Sequence, residues 1–151
     1  MGNHGFLPVL FRWFHILSAV TIVGGTIFLR LVVVPFTRGS LTPDQHAELR
    51  QALVRRWNPL VRICMVFLLG SGIYNFLTYS VPRVEAGELL LYHPLFGLKV
   101  LCALTIFFLL EALTGKAEAF RGIRSNPAKW LNVTILLMVL VILLSGFLRS
   151  L

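Results

Sequence analysis

Between Arg12 and Arg30 the chain runs Trp-Phe-His-Ile-Leu-Ser-Ala-Val-Thr-Ile-Val-Gly-Gly-Thr-Ile-Phe-Leu, and His15 is the one residue in between that titrates near neutrality. A bilayer core about 30 Å thick is crossed by roughly 20 mostly apolar helical residues. Flanked by the apolar runs 6–11 and 31–36, this segment is long enough to span. An ionisable side chain inside such a helix is costly and marks a functional site by default. His15 therefore poses the question of what it binds and which residues on other helices join it.

Composition agrees with a membrane protein. Of 151 residues, 57% are hydrophobic and 13% charged, and the mean hydropathy is +0.83. Soluble domains lie near 45–50% apolar and about 25% charged. The net charge of +8 gathers at segment ends, where it meets anionic headgroups and sets orientation; nucleic acid is not the expected partner. The two cysteines, Cys64 and Cys102, lie in apolar stretches without a C-x-x-C pair, so no zinc or dithiol centre is expected. The first apolar segment is too long for a signal-peptide core, has an uncharged N-terminal flank and lacks a small-residue cleavage site, so it reads as retained.

The whole chain, 1–151, reads as one all-α membrane domain, a four-helix bundle with spans at about 7–36, 59–80, 93–114 and 129–149. Pro35, Gly39 and Ser40 are expected to end the first helix. Thr42-Pro-Asp-Gln opens a helix with an N-cap, Pro at the first position and an acid near the positive dipole end. Its continuation to residue 57 is amphipathic and is expected to lie as an interfacial helix. Trp57 and Tyr79 fit an aromatic belt at the two ends of the second span. Arg38, Arg50, Arg55 and Arg56 in the first connection, and Lys116, Arg121, Arg124 and Lys129 in the third, outweigh Arg83 in the second. The positive-inside rule then expects a multi-pass cell (inner) membrane protein with loops 37–58 and 115–129 cytoplasmic and both termini outside.

At about 1.5 Å per residue, His15 falls roughly 12 Å and Lys99 roughly 9 Å below the outer ends of their helices. Tyr74, Asn75 and Ser145 share that outer half; Arg12 and His93 sit nearer its surface. An inner layer holds Arg30, Arg62 and Glu111, and buried charges in lipid pair, so Glu111 is expected to bind Arg62 or Arg30. Imidazole ligates haem iron, copper and zinc. Ser18, Ala19, Gly24 and Gly25 leave room for a flat macrocycle or for close helix packing, and Phe11, Trp13, Phe14 and Phe28 are available to line a pocket. A bis-histidine haem needs a second buried histidine; His93 is at a boundary, and His4 and His46 are in polar segments. One haem with His15 as axial ligand stays open. Lys99 either snorkels outward or supplies a positive charge for a carboxylate. Met65, Met138, Cys64 and Cys102 are soft ligands suited to Cu(I), but their depths along the helices do not coincide.

Several landmarks resemble the HemJ-type protoporphyrinogen oxidases and, more loosely, the CopD-type copper proteins, both small helical membrane families. They are Trp13-Phe-His15-Ile and Phe28-Leu-Arg30-Leu in the first helix, Leu98-Lys99-Val-Leu in the third, and Trp130-Leu-Asn132 in the fourth. Val133-Thr134-Ile135 stand where the HemJ pattern has Glu-x-Pro, and Gly70-Ser-Gly-Ile-Tyr-Asn75 is closer to the CopD pattern. The resemblance implies haem b bound through His15, with Lys99 a second essential polar residue and porphyrin as substrate. On that reading Arg12 and Lys99 anchor propionate or substrate carboxylates, and Asn75 is a polar pocket residue beside Lys99 at the reacting end. Two other readings stay open: CopD-like copper transport or resistance, and a non-catalytic accessory subunit of a larger membrane complex. Besides the lipid bilayer and a porphyrin, the partners to expect are further copies in a homo-oligomer or such a complex.

Overall fold

The computed structural model describes residues 5–81 and 92–150. Among the described residues, four helices are long and apolar enough to cross a membrane. They are α1 (Phe6–Ser40), α2 (Pro43–Asn75, prolonged by a π-turn at Phe76–Ser80), α3 (Tyr92–Thr114) and α4 (Pro127–Ser150). A 3-10 turn at Glu118–Phe120 and a short helix at Arg121–Ser125 connect α3 to α4. The second connection, with Pro82, Arg83, Glu85 and Glu88, lies outside the described residues, and so does His4.

Two expected boundaries are corrected. Pro35 does not end α1. A π-turn at Leu29–Val33 precedes it, with the Val34 N–H bonded to the Leu29 carbonyl. Proline removes an i→i−4 hydrogen bond and crowds the carbonyl behind it; widening that turn lets the helix continue to Ser40. Nor is 43–57 a separate interfacial helix. It forms the first turns of a continuous α2 that passes straight through Pro59. The start of α2 is as expected: Thr42 Oγ1 accepts from the Gln45 N–H at 3.4 Å and Gln45 Oε1 from the Thr42 N–H at 3.1 Å, a capping box. Asn126 Oδ1 accepts from the Lys129 N–H at 3.4 Å, so α4 begins a little before the expected Lys129.

The helices associate as two close pairs, α1 with α2 and α3 with α4, joined more sparsely where α1 meets α4 and α2 meets α3. One core cluster ties all four together: Ile22, Val61, Cys64, Met65, Ile106, Leu110 and Met138. Large apolar side chains also cover the outside, among them Trp13, Phe28, Val66, Leu136 and Phe147. Apolar inside and outside is the signature of a bundle whose solvent is lipid. In that solvent, helix association rests on van der Waals fit and hydrogen bonds, since lipid tails are as apolar as leucine. The Trp57 indole lies directly on Gly25. Trp57 therefore packs against the core in addition to standing at a helix entry. Thr26 and Thr134, both fully buried, return their hydroxyl protons to the Ile22 and Trp130 carbonyls at 2.7 and 2.8 Å, so neither leaves an unpaired donor inside the bundle.

Candidate functional site

His15 and Ser71 meet across the α1–α2 seam. His15 Nδ1 lies 2.7 Å from Ser71 Oγ, and Ser71 is 1% exposed. Ser71 Oγ is also 2.5 Å from the Phe67 carbonyl oxygen. A carbonyl oxygen can only accept, so the hydroxyl donates to its own helix. Its oxygen is then an acceptor toward His15, and Nδ1 carries the imidazole hydrogen. The lone pair resides on Nε2, which has no hydrogen-bond partner among the described residues. An imidazole braced at one nitrogen and free at the other is the arrangement by which proteins orient metal-ligating histidines.

Aromatic pairs close the same seam on either side. Phe14 stacks on Phe67 with centroids 4.8 Å apart, and Phe11 on Tyr74 at 4.5 Å. Phe11 and Phe14 thus hold α1 to α2, whereas Trp13 and Phe28 face outward. Of the small residues, Gly25 is covered by Trp57, while a side chain at Gly24 would meet no atom within 4 Å. On α3, Lys99 is half-buried. Asn75 is half-buried one turn from Ser71 on α2, while Arg12 and His93 are exposed near the terminal ends of their helices. The structure thus joins His15 to Ser71; counted along their helices, Asn75 and Lys99 fall in the same depth layer, with Arg12 and His93 nearer the helix ends.

The inner charged layer divides into two links. Arg62 binds Glu111 in bidentate fashion, Nε to Oε1 at 2.8 Å and Nη2 to Oε2 at 2.9 Å, joining α2 to α3. Arg30 turns instead to α4, its Nε donating to Asn132 Oδ1 at 2.7 Å. The soft residues divide as well. Cys64, Met65 and Met138 share the aliphatic core despite the unequal depths read from the sequence, and Cys102 is buried apart from them. No group of three or more His, Cys, Asp or Glu side chains converges among the described residues.

Ser71 is the residue that sequence reasoning missed. Its signal was its place between Gly70 and Gly72, one turn before Asn75, at the depth of His15. For a haem, the donor set fits one axial ligand, His15 Nε2, with Lys99 as a cation on the facing helix; His46 and His93 are both exposed and do not offer a second buried imidazole.

The fold and this layer define a four-span helical membrane protein with a braced histidine inside one half of the bundle. No protein-family model matches the chain, and no curated protein or solved structure is significantly similar to it.

Proposed function

We propose that the chain is a haem b-binding membrane redox protein of HemJ-like character, with His15 as the axial ligand. The observation that carries the reading is the brace at His15, where Ser71 fixes the protonated Nδ1 and leaves Nε2 to donate. Bound there, the haem would supply one-electron chemistry. The chain's own residues do the holding. Ser71 sets the ring's tautomer and orientation, Lys99 places a positive charge on the opposite helix for a propionate or a substrate carboxylate, and Asn75 adds an amide in the same layer. Arg12, at the rim, offers a second cation to a carboxylate entering from the terminal face. The basic residues on the other face, from Arg38 to Arg56 and from Lys116 to Lys129, support an orientation with both termini outside.

An absorption spectrum of the detergent-purified protein from haem-replete cells tests this. A Soret band is expected, lost in His15→Ala and kept in Ser71→Ala with haem affinity lowered roughly 10–100-fold, the usual effect of removing an outer-shell partner. Helical circular dichroism of each variant reports the fold independently. A colourless wild-type protein, or a Soret band unchanged in His15→Ala, refutes the assignment. Stable co-purifying partners together with full tolerance of His15→Ala would point to the accessory-subunit reading instead.

A further inference from the structure

A groove of about 460 Å³ lies between α1 and α4, lined by Ile27, Arg30, Leu31, Asn132, Ile135 and Leu136. It is open along one side to the surrounding lipid. Four of its six lining residues are aliphatic. The other two form the hydrogen bond from Arg30 Nε to Asn132 Oδ1. A guanidinium can only donate, so the amide oxygen must face it and the Asn132 NH2 faces away. Neither Arg30 Nη1 and Nη2 nor the Asn132 NH2 has a further partner among the described residues. The groove thus presents a polar edge made of donors alone, set in an apolar trough. Such an edge calls for an acceptor-rich anion carrying a hydrocarbon tail.

Depth agrees with this chemistry. Asn132 lies five residues into α4, about 7 Å from its start, on the face that also carries Arg38 and Lys129. Basic pockets between spanning helices at that level recruit anionic headgroups. A second copy of the chain is a poor occupant by charge. Glu111 is the carboxylate within the described apolar stretches, and Arg62 already holds it on both oxygens. We propose that the α1–α4 groove is a binding site for an anionic phospholipid of the surrounding bilayer. Its phosphate takes the free donors of Arg30 and Asn132, and an acyl chain lies along Ile27, Leu31, Ile135 and Leu136. The π-turn that carries Arg30 widens α1 at this level and is part of the site.

Native mass spectrometry of the full chain in detergent, titrated with phosphatidylglycerol or phosphatidylcholine, tests the proposal. The wild type is expected to retain phosphatidylglycerol about tenfold more strongly, and Arg30→Gln to lose about tenfold of that affinity, the worth of one charge-assisted hydrogen bond. Leu136→Trp alters an outward-facing residue. It fills the trough while sparing the Arg30–Asn132 bond, and is expected to weaken retention even where Arg30→Gln disturbs folding. Arg38→Gln, on the same face but outside the groove, is expected to change retention less than twofold. Equal retention of the two lipids overturns the proposal. So does a loss in Arg38→Gln as large as in Arg30→Gln and Leu136→Trp, which would mean diffuse attraction, or a dimer that dissociates in Leu136→Trp, which would seat a second copy in the groove.

Discussion

Gly24 and Gly25 are neighbours on α1 with the same backbone conformation, yet alanine should act oppositely at the two. A methyl at Gly25 would overlap Cη2 of Trp57 and lie 2.7 Å from both Cζ2 and Cζ3, whereas one at Gly24 would meet nothing within 4 Å. Relief requires the indole to withdraw from α1, and Trp57 is packed against the core cluster. Overpacking of this kind costs about 1–3 kcal/mol. The gain in helix propensity from Gly to Ala, up to about 1 kcal/mol, is common to both sites and cancels in their difference. Gly25→Ala should therefore be about 1–3 kcal/mol less stable than Gly24→Ala. For a chain of this size that separates their melting temperatures by on the order of 5 °C. Thermal unfolding in detergent, followed by circular dichroism, measures it. The same pair made in a Trp57→Leu background supplies the control, because the clash partner is gone and the two alanines should become equal; the coupling in that cycle is expected within about 0.5–3 kcal/mol. Equal melting temperatures in the Trp57 background, or a difference that survives Trp57→Leu, would refute the packing argument.

The bidentate Arg62–Glu111 pair faces outward between α2 and α3. Removing one member strands a charge toward lipid, so Arg62→Leu and Glu111→Leu should each lower the melting temperature more than the double Leu variant does; a double variant worse than either single one contradicts this. Asn58 Oδ1 is buried with no hydrogen-bond partner among the described residues. Asn58→Leu is therefore expected to stabilise by about 1 kcal/mol, the desolvation of an unpaired polar group, and a fall in melting temperature in the same assay would show that the amide is satisfied.

The axial order of the molecule was legible in the sequence, and its rotational order was not. Span lengths, the Thr42 cap and the layer shared by His15, Asn75 and Lys99 all follow from residue counts at a fixed rise. Which way a side chain points depends on the helix's rotation about its own axis. These helices are apolar on every side, so no polar stripe reports it. Charge still narrowed the choice: Glu111 had two arginines at its depth and took Arg62. Arg30 then went to Asn132, a neutral residue that a search for opposite charges does not select. Ser71 was hidden for a similar reason, since a serine in a membrane helix returns its proton to its own backbone and looks spent. Its remaining role, as acceptor for His15, shows only once α1 and α2 are brought together. Pro35 and Pro59 misled for another reason. Both are strong local signals for a boundary, yet in a span the helix is the one way to satisfy the backbone away from water, so the chain adjusts its turns and continues.

The distribution of polar contacts separates the links between the helix pairs from the site at His15. Between described residues, two sets of side-chain hydrogen bonds cross from one helix pair to the other, Arg30–Asn132 and Arg62–Glu111. Both lie toward the basic end. Toward the terminal end, α2 and α3 are joined by the stacked rings of Phe76 and Phe96, 4.7 Å apart, while the bond that His15 makes stays within its own pair. In lipid such hydrogen-bonded links resist separation, because parting them exposes unpaired polar groups to hydrocarbon. His15 and Lys99 stand on different pairs, away from both of these links. Breaking a link and altering the site at His15 are thus separable perturbations. Asn132→Leu should lower the melting temperature in detergent by loosening α1 from α4 while leaving the Soret band expected of His15 unchanged. A lost Soret band with an unchanged melting temperature would contradict this.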